Sequence, residues 1–211
     1  MAKTVSCDMA QDAIRYLSAG TKRVARGGVV AVLLVALGLV IGGCASKPEV
    51  LPQDEFWNSV SALCGKTYPG RVITDTTSSP TFGDRPITLH VRECDESEIT
   101  MPVIIGSDAW VELKMSRQDG RLVLTHTHGG REGMPDGYGG ATRAGGTAVS
   151  QDFYADEFTA LLQDGAEDTI WTIEIRPGAV ISYALHREGT DRRFRAVFDL
   201  ARGRPAATAL R

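Results

Sequence analysis

The chain has 211 residues and a formal net charge of -3, with 43% hydrophobic and 23% charged residues. That balance is ordinary for a globular chain. The negative sign excludes a general nucleic-acid binder, which needs a basic footprint.

The N-terminal segment has to be set aside before the fold is considered. Val29 to Ile41 is a run of thirteen apolar or glycine residues, and Lys22, Arg23 and Arg26 precede it. A spanning helix usually needs about 20 such residues, so a shorter run fits the core of an export signal better. Ile41, Gly42 and Gly43 then lead directly into Cys44. Small residues let an extended backbone enter a peptidase site, and the thiol is the nucleophile that accepts a diacylglycerol.

This segment resembles the lipobox of bacterial lipoprotein precursors. The resemblance implies a signal peptide over residues 1–43, cleavage before Cys44, and lipid on that cysteine. It implies a cell-envelope protein held on the exported side of a membrane, with membrane lipid as its first partner. Ala45 after the cysteine resembles the sorting signal for release to the outer membrane, where the organism has two membranes. The alternatives are an uncleaved signal anchor and a plain secretory signal. Met9 is an alternative start, because little before it looks necessary.

Without residues 1–43 the chain carries 18 Lys and Arg against 24 Asp and Glu, a charge of about -6. Cys7 leaves with the leader and Cys44 is the lipid site, so Cys64 and Cys94 remain. In an oxidising compartment these two are expected to form a disulfide. The alternative is a pair of free buried thiols.

Residues 44–52 form a short lipidated tether, with Pro48 and Pro52 opposing a continuous helix. One β-rich domain is expected over residues 53–202, followed by a flexible tail over residues 203–211. A helix is expected from Asp54 to about Leu63, with Phe56, Trp57, Val60 and Leu63 on one apolar side. Asp54 is placed to cap it and Gly65 to stop it. Alternation then marks strands through Ile87, Leu89 and Val91, through Ile99, Met101, Val103 and Ile105, and through Val111, Leu113 and Met115. Asp119-Gly120 is a strong hairpin signal into Leu122 and Leu124.

After a glycine-rich stretch, Thr147 to Phe153 reads as a short strand and Ala155 to Leu162 as a second helix packed down by Phe158, Leu161 and Leu162. Three more strands carry Trp171, Ile173 and Ile175, then Ile181, Tyr183 and Leu185, then Phe194, Ala196, Phe198 and Leu200. Seven to nine strands with hairpin-like connections predict a mainly-β fold: an antiparallel curled sheet or small lipocalin-like barrel with an N-terminal helix. An antiparallel α+β sheet packed by one or two helices is the alternative, and a sandwich is third.

The sharpest chemical feature is Leu122 to His128, which places Leu122, Leu124, His126 and His128 on one strand face. Two imidazoles at that spacing suit one zinc or other divalent ion, with a third ligand from His90, Asp136 or His186. The plainer reading has both histidines bonded to loop backbone. The following stretch, Gly129 to Gly146, holds eight glycines with Tyr138 and Arg143 among them. It reads either as a binding rim built on His126, His128, Tyr138, Gly139, Gly140 and Arg143, or as a structural multi-turn connection.

No Walker pattern or Gly-x-Ser-x-Gly elbow is present, and no triad or carboxylate pair stands out. Arg187, Arg192, Arg193 and Arg195 form a basic hairpin tip, suited to anionic lipid or to solvent alone. The expected function is a non-enzymatic binding or structural module for a small or apolar ligand or an envelope protein, without nucleic acid and without a resident cofactor. The opposing class is a metal-dependent or other hydrolase built on His126, His128 and the glycine-rich stretch.

Overall fold

The computed structural model describes residues 50–76, 85–130, 132, 135–143, 146–162 and 165–206. The leader, Cys44 and most of the tether lie outside the described residues, as do Arg131, Gly133 and Gly145 of the glycine-rich stretch and the last five residues of the tail. Helix α1 covers Pro52–Ser61 and is followed by strands β1 (Lys66–Asp75), β2 (Ile87–Val91), β3 (Glu98–Ile105), β4 (Asp108–Gln118) and β5 (Arg121–Thr127). Then come β6 (Tyr138–Thr142), β7 (Ser150–Ala155), helix α2 (Glu157–Leu162), β8 (Thr169–Arg176), β9 (Val180–Arg187), β10 (Arg193–Asp199) and the two-residue β11 (Arg204–Pro205).

Each of the ten long strands pairs antiparallel with the next, and β1 pairs with β10, so the sheet closes into a lipocalin-like barrel. Closure removes the free edges that an open sheet or sandwich would expose. The hairpin expected at Asp119-Gly120 is present, with both residues at positive φ as a two-residue primed turn requires.

Inward side chains alternate as the sequence pattern requires. Leu122 and Leu124 on β5, Ile99 and Met101 on β3, and Trp171, Ile173 and Ile175 on β8 are all buried. A ten-stranded barrel is wider than an eight-stranded one, whose interior side chains just fill. Here large residues take up the extra width: Tyr68, Phe153, Phe198, Met101 and Met115 are essentially fully buried. The space left among Leu89, Met101, Leu113, Ile173, Tyr183 and Phe198 is about 10 Å³, room for one water at most. The barrel is therefore a packed core rather than a container.

Helix α1 plugs one end, burying Phe56, Trp57 and Val60. It begins at Pro52, two residues earlier than expected, with Leu51 before it and no side-chain cap. Asp54 instead pairs with Arg117, whose guanidinium lies 4.6 Å over the Trp57 ring. Gln53 donates to the Thr142 hydroxyl at 3.0 Å. Side-chain contacts to β4 and β6 thus set the helix across the barrel end.

One strand was not foreseen, and three further expectations are corrected. Strand β1 was hidden by a Tyr68-Pro69-Gly70 segment that reads as a turn and buries only Tyr68 fully. Gly70 is required there, because a Cβ would overlap the Phe198 ring and the Val197 carbonyl. Part of the glycine-rich stretch is strand β6, not loop. Helix α2 is not packed down by its apolar residues, since Phe158, Leu161 and Leu162 are 49, 85 and 40% exposed. The tail is not free from residue 203, because Arg204 and Pro205 pair with Thr67 and Lys66.

Cys64 and Cys94 are bonded across a separation of 30 residues, tying the turn after α1 to the chain beyond β2. Closing a loop of this length removes chain entropy from the unfolded state worth about 3 to 4 kcal/mol. Replacing both cysteines by serine should lower unfolding stability by that amount while leaving the far-ultraviolet spectrum unchanged. An unaltered denaturant midpoint would contradict this account.

Candidate functional site

The end of the barrel opposite α1 is where the polar sequence signals converge. Strand β5 carries Leu122, Leu124 and His126 inward, and His126 lies in register with Tyr138 on β6. On the facing strands Trp171 pairs with Leu185 and Ile173 with Tyr183. These registers bring four rings together. His126 stacks on Tyr138 with centroids 4.7 Å apart and lies 4.9 Å from Trp171 and 5.8 Å from Tyr183. His128 stacks on Tyr138 with centroids 5.9 Å apart and meets the Trp110 ring edge-on at 5.5 Å.

The hydrogen bonds fix both tautomers. His126 Nδ1 is 3.2 Å from the Tyr138 carbonyl, which only accepts, so Nδ1 carries the proton. Nε2 then accepts from the Tyr183 hydroxyl at 2.8 Å. His128 repeats the scheme: Nδ1 donates to the Trp110 carbonyl at 2.8 Å, and the Tyr138 hydroxyl donates to Nε2 at 3.1 Å. Burial without a counter-charge pushes the His126 imidazole down to about 3, against the opposing pull of the Tyr138 carbonyl. Burial likewise pushes the Tyr138 phenol up to about 12, with nearby Arg192 acting the other way. Both groups are neutral at ordinary pH. The Asp136 carboxylate is held below its usual range by the backbone N–H groups of His128 and Gly130.

This arrangement removes the geometric basis for a shared metal site at His126 and His128. Their lone pairs point to two different tyrosine hydroxyls. Among the described residues no group of three or more His, Cys, Asp or Glu side chains is placed to hold a metal ion. His90 faces Thr67 and His186 faces Arg193 in the strand registers, and Asp136 is engaged by backbone. The ring nitrogens of both histidines face backbone carbonyls and tyrosine hydroxyls, and no carboxylate is bonded to either ring.

Of the expected rim, Tyr138 is at this end. Gly139 and Gly140 are interior strand positions, where a Cβ would overlap the Leu124 and Tyr154 carbonyls respectively. Their role is close strand packing. Arg143 follows the far end of β6 and covers the Tyr154 ring at 3.9 Å, so it supplies no cation to the mouth.

The mouth itself is a cleft of about 230 Å³. Tyr138, Trp171 and Leu185 line it from the barrel wall, Thr159 and Leu162 from α2, and Arg187 and Arg192 from the turn between β9 and β10. Trp171 is 2% exposed, and its indole N–H has no hydrogen-bond partner among the described residues. Thr159 clamps α2 to β6: its hydroxyl accepts from the Gly139 amide and donates to the Gly139 carbonyl, each at 2.8 Å. Larger grooves of about 400 and 530 Å³ lie among residues such as Arg71, Glu174 and Arg195, and one of about 490 Å³ is lined by Trp110, Glu112 and His128.

The basic hairpin tip divides on folding. Arg193 caps turn carbonyls and Arg195 pairs with Glu174, while Arg187 and Arg192 border the cleft. Trp171, Leu185 and Thr159 were not foreseen as site residues. Alternation had already put Trp171 and Leu185 inside, but only the register shows that they lie at the mouth. Neither a protein-family model nor a curated protein sequence matches the chain.

His126 has a consequence for stability against pH. The unfolded chain protonates this imidazole in its ordinary range, near 6.5, while the barrel refuses the proton down to about 3. The stabilising contribution is complete above the ordinary range and is lost as pH falls from there, by up to about 1.4 kcal/mol per pH unit. Urea unfolding at stepped pH should show this loss between about pH 6.5 and 5, where carboxylates contribute little. His126→Gln should flatten the dependence. Equal slopes in the two proteins would show that His126 does not control it.

Proposed function

We propose that the chain is an exported lipoprotein, lipidated on Cys44, whose barrel is a non-enzymatic binding module that takes a small ligand at its mouth. The observation that carries the binding half is the contrast between a filled interior and a cleft of about 230 Å³ at the end opposite α1. That cleft joins aromatic and aliphatic walls to two guanidinium-bearing residues, the mixture expected of a small-molecule site. Its volume is below the range of drug-sized sites, roughly 300 to 1,000 Å³, so the bound part of the ligand is small. The anchoring half rests on the basic segment, the thirteen-residue apolar run and the Ile41-Gly42-Gly43-Cys44 sequence.

The two halves are tested separately. Intact-mass analysis of detergent-extracted protein should give a chain that starts at Cys44 and carries diacylglycerol, and Cys44→Ala should abolish the lipid. A mature chain with another N-terminus rules out the anchor. For binding, the three tryptophan indole N–H signals are followed by NMR while six- to twelve-carbon alcohols and acids are added. The Trp171 signal, assigned with Trp171→Phe, should move, and that of Trp57 at the plugged end should stay. Movement confined to Trp57, or saturable binding that leaves Trp171 untouched, would place the ligand elsewhere.

A further inference from the structure

The mouth has an asymmetry that the binding reading alone does not use. On one side stand Arg187 and Arg192, where β9 turns into β10. On the other stands α2, whose Leu162 lines the cleft and is also 40% exposed. Beyond Leu162, Phe158 is 49% and Leu161 85% exposed, so apolar surface continues out of the cleft along the helix. Three large apolar residues on a six-residue helix, none of them fully buried, are the kind of contiguous patch that marks a contact surface. Between the two sides lies Trp171, a buried aromatic whose indole N–H has no partner among the described residues. Cationic donors, an aromatic wall and a run of apolar surface therefore lie in sequence across one mouth.

We propose that the ligand is a single-chain anionic amphiphile. Its head group, a carboxylate or phosphate monoester, lies on the Arg192 side. Its chain crosses Trp171 and Leu185, passes Leu162 and leaves over Phe158 and Leu161. Guanidinium donors match the oxygens of either head group in charge and geometry. The alkyl chain accounts for the exposed face of α2, which a compact polar ligand would leave uncovered. The cleft holds the head and the first few carbons, which agrees with its small volume, and the remaining chain lies on the helix. The inference rests on the mouth as the binding site and adds the chemical class.

Binding of hexanoate, octanoate, decanoate and laurate below their micellar concentrations is measured by calorimetry, with decanol and decyl phosphate as head-group comparisons. Affinity should rise with chain length, by up to about fourfold per added CH₂. Decanoate should bind at least about tenfold more tightly than decanol at low salt, and the gap should shrink as salt screens the charge. Arg192→Gln should bring decanoate to within about threefold of decanol. Phe158→Ser with Leu161→Ser should weaken laurate about tenfold or more and leave hexanoate nearly unchanged. A preference for decyl phosphate or for decanoate assigns the head group, and either supports the class.

Equal affinity of decanol and decanoate, with the Trp171 signal still moving, would overturn the anionic class and leave the mouth site standing. Affinity independent of chain length would overturn the path over α2. If no acid, alcohol or phosphate binds a protein whose near-ultraviolet spectrum is native, both the class and the mouth reading fall.

Discussion

Everything at the mouth depends on the seam between β1 and β10. Ten strands laid side by side have two edges, and only the pairing of Gly70 to Asp75 with Phe198 to Phe194 joins them. That seam forces Phe198 against a position that can only be glycine, since a Cβ on Gly70 would overlap both the ring and the neighbouring carbonyl. Once the sheet is closed, the inward faces of β8 and β9 come opposite those of β5 and β6. His126 can then meet Tyr183, a residue 57 positions away in sequence. An open sheet with the same strands would leave the Tyr183 hydroxyl without this partner.

The aromatic and histidine layer is best understood as the structural floor of the mouth. Two imidazoles and two phenols satisfy one another and two backbone carbonyls, so polar groups are accommodated at the edge of an apolar core without an unpaired charge. The floor holds Tyr138 at a fixed height, with its ring stacked on His126 and its hydroxyl committed to His128. The rest of the cleft lining comes from neighbours on the rim. This division explains why the two histidines are conspicuous in the sequence yet bear no open coordination position.

Much of the barrel was legible because period-two alternation is strong wherever a strand has one buried face. Strands β3, β4, β8 and β10 announce themselves by Ile, Leu, Val, Met and Phe at every second position. Strand β1 did not, because its interior contribution is one tyrosine, and the closeness of the seam demands the Pro69-Gly70 pair that elsewhere signals a turn. Strand β6 was hidden similarly: Gly139 and Gly140 are there for close approach of neighbouring backbones, and nothing in a single glycine distinguishes that use from a loop. The mouth residues were harder still. Arg187 and Arg192 were visible as part of a basic tip, but which arginines of that tip turn inward is decided by register across β9 and β10, a long-range property.

Helix α2 is joined to the barrel in an unusual way for a helix with three large apolar residues. Thr159 grips Gly139 at both its amide and its carbonyl, while none of the three apolar residues is fully buried. The amide of Asp156, just before the helix, also donates to the Gly139 carbonyl, so α2 is fastened to β6 mainly through polar contacts at one residue, and such a short segment opens at lower cost than the sheet beneath it. The Gly139 amide, although it sits in a strand, is tied to a side chain from the helix above. Its exchange with solvent deuterium should therefore report release of Thr159 as well as opening of the strand, and Thr159→Val should speed it without speeding exchange elsewhere in the ladder.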